Sequence, residues 1–255
     1  MIRAVAMFLV GALLWSGQAM AQQPVRLIAN ISPPYADKSL EAQGLALEVV
    51  NHVLEKAGYK ADITIDSWPR AMEGVEIGVY DALASVWYTE ERGKNYLFSD
   101  PYLSSQLVLV KLRSDTGDYY ELSHLEGKRL GVRVDYAYGV DFDAVPNLTL
   151  VEENHLIQNL LNLLNGKVDF VIGDQRTVAL QLRDYLSKQS QKFEVVHIDL
   201  PARERHVAAS LSMPGKEKMI AAFNKALAES KKDGSHAAII AKWDKLMGLD
   251  SLQTP

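Results

Sequence analysis

The sequence predicts an α/β protein of two lobes, each built on a mostly parallel sheet, with two crossovers joining them and a cleft where they meet. Three observations carry this. Short apolar or β-branched runs alternate with helical stripes along almost the whole chain. Two charged or polar passages, Arg113-Ser114-Asp115 and Pro201 with Arg203-Glu204-Arg205, break the alternation and mark a crossing out and a return. The 255 residues, with a hydrophobic content of 48%, can bury a sizeable core as one two-lobed unit or two small domains. Residues 22–113 and 202–255 are expected to form lobe one, and 114–201 lobe two.

The elements follow in order. Val25 to Ala29 is a short strand that ends in Asn30-Ile31-Ser32-Pro33-Pro34-Tyr35, where two prolines stiffen the loop and present Tyr35. After Gly44, Ala46, Val49, Val50, Val53, Leu54 and Ala57 make one helical stripe, and Gly58 stops it. Ile63 to Ile65 returns as strand. Pro69 suits the first turn of a helix that runs to about Ile77, with Trp68 just before it as core or as the wall of a cleft. Asp81 to Val86 and Gln106 to Leu112 are buried strands. Lobe two repeats the alternation: strands at Leu130 to Val134 and Leu148 to Val151, a helix from Asn154 to Leu164 ended by Gly166, and a strand from Val168 to Ile172 tipped by Gly173-Asp174. Gln175 to Leu186 is helical and Phe193 to Ile198 strand. Val207 to Leu211 rejoins the first sheet, and helices from Lys216 to Ser230 and from Ser235 close the chain.

The N-terminus reads as an export signal. Met1-Ile2-Arg3, an apolar run from Ala4 to Trp15 and Ala19-Met20-Ala21 supply the charged, apolar and small-x-small parts of a secretory signal peptide, residues 1–21, with Gln22 first in the mature chain. Ser16-Gly17-Gln18 interrupts the run too early for a membrane span of about 20 residues. There is no cysteine, which excludes disulfides, thiolate metal sites, thiol catalysis and a lipid-bearing cysteine. The net charge of −5 argues against nucleic acid and anionic lipid as partners.

One stretch concentrates the chemistry. In Ala84-Ser85-Val86-Trp87-Tyr88-Thr89-Glu90-Glu91-Arg92, a buried strand runs into a turn that Thr89 can cap, and Arg92 is placed to aim back at the strand end. Ser85, the free amides of the turn and the Arg92 guanidinium make an anion site, each charge-assisted bond contributing about 1.5–3 kcal/mol. A surface turn with an ordinary Glu/Arg pairing is the plainer reading of those four residues alone.

The run continues to Phe98-Ser99-Asp100-Pro101-Tyr102, and with Pro34-Tyr35, Gly44, Gly78-x-x-Asp81, Leu125 to Val132, Gly166 to Asp174, Asp233-Gly234 and Lys242-Trp243 it resembles the periplasmic solute-binding proteins of the polar amino-acid class, bacterial extracellular family 3. The resemblance spans nearly the whole mature chain. It implies a type II periplasmic-binding-protein-like fold, lobes that close by a hinge around a small zwitterion such as an amino acid, a location in the periplasm, a monomer, an ABC permease as partner, and neither cofactor nor catalysis. It also implies that Arg92 clamps the ligand carboxylate with help from Ser85 and amides near Trp87, that Asp174 takes the ammonium group, and that Tyr35 stacks on the ligand. For Asp174, a helix N-cap before Gln175-Arg176-Thr177 is the alternative. Trp68, Trp87, Tyr136 and, more weakly, Tyr138 are candidates for aromatic cleft surface.

Two positions depart from the family pattern. Gly44-Leu45-Ala46 stands where many relatives have Gly-Phe-Asp, and Asp135-Tyr136-Ala137 where Gly-Ser or Gly-Thr would donate to a carboxylate. Asp135 in the cleft would repel a carboxylate or select a second cationic group, unless Arg133 or Arg176 neutralises it. No phosphate loop, nucleophile elbow or zinc helix is present, and the histidines at 52, 124, 155, 197, 206 and 236 lack ligand spacing. The fold also resembles periplasmic cyclohexadienyl dehydratase, an enzyme reading in which Glu90, Asp135 or Asp174 would be the proton donor. A sensing subunit for a membrane receptor is a third reading.

Overall fold

The computed structural model describes residues 23–249; the predicted signal peptide and the tail from Asp250 lie outside them. The chain opens with β1 (Gln23–Asn30), α1 (Leu45–Lys56) and β2 (Tyr59–Asp66), and β1 pairs with β2 in parallel over its whole length. The α1 stripe is real: Leu45, Ala46, Leu47, Val49, Val50, Val53 and Leu54 are all buried, and a buried Leu or Val side chain stabilises by about 1.5–3 kcal/mol. The first amides of α1 are satisfied by the preceding loop, Leu45 N–H donating to Pro34 O at 2.9 Å and Ala46 N–H to Tyr35 O at 3.0 Å. Only glycine permits this approach. Gly44 has φ of 114°, and a Cβ there would stand 2.5 Å from the Tyr35 carbonyl oxygen.

Next come α2 (Trp68–Glu76) with Pro69 in its first turn, β3 (Ala82–Trp87), the single-turn α3 (Glu90–Gly93), β4 (Tyr96–Phe98), β5 (Leu103–Ser105) and β6 (Leu107–Leu112). They are followed by β7 (Arg129–Arg133), β8 (Thr149–Glu153), α4 (Leu156–Leu164), β9 (Phe170–Asp174), α5 (Gln175–Asp184) and β10 (Phe193–Val196). The chain ends with β11 (Arg203–Ser210), α6 (Lys216–Asp233) and α7 (Ser235–Met247).

Two sheets form, ordered β2-β1-β3-β11-β4, with β5 also on β11, and β10-β6-β9-β7-β8. Both are mixed, not mostly parallel. Each has a parallel core, β2-β1-β3 or β9-β7-β8, flanked by antiparallel strands, β11 on β3 and β6 on β9. Strands β6 and β11 carry the chain between the sheets without a helical crossover, so nothing obliges them to run parallel to their new neighbours.

The outward crossing also differs from expectation. β6 belongs to the second sheet, so the chain passes between sheets at Gln106, between β5 and β6, and not at Arg113-Ser114-Asp115. That polar passage is an ordered turn within the second lobe: Asp115 Oδ1 accepts from Gly117 N–H at 2.9 Å, and Tyr119 Oη donates to Asp115 Oδ2 at 2.9 Å. The return falls between β10 and β11, around Pro201.

Strand alternation sorts the cores. In β6, Val108 and Val110 face the layer that includes Leu160 and Phe193, while Leu107 and Leu109 face Phe170, Ile172 and Leu125. The first lobe packs α1, α6 and α7 on one face of its sheet around Trp243 and Phe223. Ala179 and Leu180 of α5 join that first-lobe core, so α5 stands between the lobes.

Candidate functional site

Thr89 Oγ1 accepts from Arg92 N–H at 3.1 Å and closes the turn after β3. The side chain of Arg92 then folds back to the strand end, as its spacing predicts. Nη1 donates to Trp87 O at 2.9 Å, and the guanidinium lies 4.7 Å from the centroid of the Trp68 ring. Burial and then the charge of Arg203 lower the Arg92 pKa, yet an arginine stays protonated in protein.

A second guanidinium shares this wall. Arg205 on β11 is 4% exposed; its Nε donates to Ser105 Oγ at 3.0 Å, its Nη1 to Ser85 Oγ at 3.1 Å, and its Nη2 has no partner. The guanidinium carbon lies 3.5 Å from the centroid of the Tyr35 ring and 5.4 Å from that of Trp87. In the sequence, Arg203-Glu204-Arg205 reads as a charged return and Val207 as the start of the strand. Carrying the alternation of Val207 and Ala209 back by one step would have placed Arg205 on the same inward face.

The opposite wall is the segment after β7 and the start of α4. Arg133 packs 4.5 Å over the Tyr136 ring and donates from Nε to Asn154 O at 3.3 Å. Asp135 takes a φ of 55°, and Tyr136 meets Trp87 edge-on with centroids 4.6 Å apart. These two walls enclose a cavity of about 410 Å³ lined by Trp68, Ser85, Trp87, Arg92, Tyr136 and Arg205, with Arg133, Asp135 and His155 among the others. An adjoining space of about 830 Å³ shares Trp68, Arg92, Arg133, Asp135 and Tyr136 with it. The volume suits a small metabolite.

Five of the residues singled out in the sequence therefore meet: Ser85, Trp87, Trp68, Arg92 and Tyr136. Tyr35 and Asp174 do not join them. Tyr35 is fully buried and its Oη donates to Asp174, 2.8 Å from each carboxylate oxygen. Asp174 caps α5, its Oδ1 accepting from Thr177 N–H at 2.9 Å and Thr177 Oγ1 at 3.1 Å. Both carboxylate oxygens are thus engaged inside the protein, which is why a strand-tip aspartate expected in the cleft lies behind its wall. Burial and the Asp174 charge together drive the Tyr35 phenol far above its ordinary pKa. Tyr138 is mostly buried and accepts through Oη from Arg133 N–H at 2.9 Å, and it lines the adjoining space, not the 410 Å³ cavity. Ala46, at the corner where relatives carry a polar group, is sealed in the first core.

Among the described residues no group of three or more His, Cys, Asp or Glu is arranged to hold a metal ion, and no helix is long and apolar enough to cross a membrane.

The model of the bacterial extracellular solute-binding proteins, family 3, matches residues 27–245 of the sequence. A probable amino-acid ABC transporter-binding protein of Haemophilus influenzae is 26% identical over 82% of this chain and 79% of its own length. An L-cystine-binding protein of Bacillus subtilis is 26% identical over 82% of this chain and 75% of its own. In fold, an ancestral arginine-binding protein solved with arginine bound superposes with a TM-score of 0.72 at 21% identity, covering 88% of this chain and 99% of that one.

Proposed function

Because the chain belongs to the bacterial extracellular solute-binding proteins, family 3, we propose that it captures an amino acid or close derivative between its lobes in the periplasm and presents it, as a monomer, to the permease of an ABC transporter. The observation that carries this reading is the cavity shared by the two lobes, with Arg92 held by Trp87 O and Trp68 on one wall and Asp135 on the other. Arg92 retains donors beyond the one given to Trp87 O and takes the α-carboxylate. Ser85 lies beside it in the same wall. Asp135 is the one carboxylate side chain among the described residues lining the 410 Å³ cavity, and it takes the ammonium group in place of the occupied Asp174. A zwitterion gains both bonds only when the walls are together, so binding favours the closed form. The named relatives are binding proteins, and on this reading the chain binds without catalysis.

Thermal unfolding of the purified protein against the common L-amino acids, prephenate and arogenate tests it. A ligand at 100 times its dissociation constant stabilises by about 2.7 kcal/mol, roughly 5–11 °C in melting temperature for a chain of this size. A shift with an amino acid is the expected result. Release of carbon dioxide from prephenate or arogenate would replace the receptor with an enzyme, and no shift with any compound would remove the amino-acid reading.

A further inference from the structure

The cavity holds more positive charge than a zwitterion uses. Three guanidinium groups line it, Arg92, Arg133 and Arg205, against the single carboxylate of Asp135. Arg133 is engaged at its own wall by the Tyr136 ring and Asn154 O, and Arg92 is assigned to the α-carboxylate. Arg205 is left over.

Its surroundings are unusual for a structural arginine. It is nine-tenths buried, and its two hydrogen-bond partners, Ser85 and Ser105, are neutral hydroxyls. Among the described residues no carboxylate lies within ion-pairing distance of it. Asp174 is the carboxylate whose field reaches it, but Tyr35 and Thr177 already occupy the Asp174 oxygens. Its Nη2 has no partner, and neither has the buried Nε1 of Trp87, which lines the same cavity and whose ring lies 5.4 Å from the guanidinium carbon. A buried cation without a counter-ion is strongly disfavoured, and a donor left unpaired beside it adds to the cost. A protein keeps such an arrangement where a partner arrives from outside, and the wall on which Arg205 sits is that of the cavity.

Building on the amino-acid reading above, we propose that Arg205, with Ser85 and Trp87, forms a second anion subsite, so that the ligand carries two anionic groups: an acidic amino acid or a comparable dicarboxylate. Arg92 takes one carboxylate and Arg205 the other, with the buried Nη2 and Trp87 indole N–H as its donors once the walls part and expose them.

Calorimetric titration with two isosteric pairs, L-glutamate with L-glutamine and L-aspartate with L-asparagine, separates the charge from the shape. The wild-type protein is expected to bind the acid of at least one pair tenfold or more tighter than its amide. In Arg205→Gln that ratio should fall below about threefold, chiefly through weaker acid binding. Amides bound as tightly as acids by the wild type would overturn the proposal, even if the variant fails to fold. So would an acid preference that survives in a folded Arg205→Gln, which would make Arg205 a strut between Ser85 and Ser105. If the pairs are not bound but another amino acid is, the second subsite falls while capture stands; if no amino acid is bound, both fall.

Discussion

Asp174→Ala separates the role the structure gives this residue from a direct role at the ligand. The substitution removes the cap of α5, about 1 kcal/mol. It also takes the charged acceptor from a fully buried phenol, about 2 kcal/mol more, even though Ser105 and Arg176 lie close to Tyr35. Arg205 loses the favourable charge of Asp174 as well, so about 3 kcal/mol is a floor. For a chain of this length that corresponds to roughly 6–12 °C in melting temperature. Asp174→Asn keeps an acceptor for both Thr177 N–H and Tyr35 Oη and should cost about 1 kcal/mol. The assay is thermal and urea unfolding of both variants without ligand, followed by titration with whichever ligand the wild type binds. A structural role predicts the stability order wild type, Asn, Ala, with affinity largely kept in the Asn variant. An alanine variant that melts within 2 °C of wild type, or a folded Asn variant that binds nothing, would refute the argument and return Asp174 to the ligand.

Arg92→Ala should weaken ligand binding by about 100-fold, the loss of two charge-assisted bonds. It should lower the melting temperature by less than about 4 °C, since the side chain holds only Trp87 O and the Trp68 face; titration and melting on one preparation check both. Glu48→Ala should cost about 2 kcal/mol in urea unfolding followed by tryptophan fluorescence, because Glu48 Oε2 accepts from the buried Trp243 Nε1 at 2.6 Å and Lys242 is left with Glu41 alone of its two carboxylate partners. His206 donates from Nδ1–H to the Ser99 carbonyl oxygen at 2.8 Å, and burial lowers its pKa. The unfolded chain therefore takes up this proton first: the contribution is whole above about pH 6.5 and is lost as pH falls through the folded value. His206→Gln should flatten the stability change between about pH 7.5 and 5.5, measured by urea unfolding at each pH.

What the sequence disclosed and what it hid follow the range of the interactions. The Thr89 cap, Pro69 in the first turn of α2, the buried face of α1 and the cap role of Asp174 all rest on neighbours within four residues, and each was legible. The polar run after Leu112 looks like a crossing because composition does not distinguish a linker from a turn that Asp115 organises locally. Asp174 was legible as a cap, but the phenol that occupies it is 139 residues away. Arg205 was hidden for the same reason. Its meaning comes from Ser85, Ser105 and Tyr35, which only the sheet brings to it.

The contacts between the lobes indicate where the cleft opens. On the α5 side, Arg176 holds Asp244 of α7 through two bonds of 2.7 and 3.1 Å and also donates to Ser104 O, while Ala179 and Leu180 are sunk in the first-lobe core. On the cavity side, Trp87 meets Tyr136 edge-on, an interaction of the order of 0.5–1.5 kcal/mol, and packs into the second-lobe cluster that includes Leu107, Ile198 and Leu200. The α5 side thus adds a bidentate, partly buried ion pair to its apolar packing, whereas the cavity side is held by ring and apolar packing around Trp87. Opening therefore costs least when the wall of Arg92 and Arg205 parts from the wall of Asp135 and Tyr136, with α5 against α7 as the pivot. A ligand that bonds to both walls adds charge-assisted bonds across the cleft, and its differential affinity for the closed form sets how far the equilibrium moves.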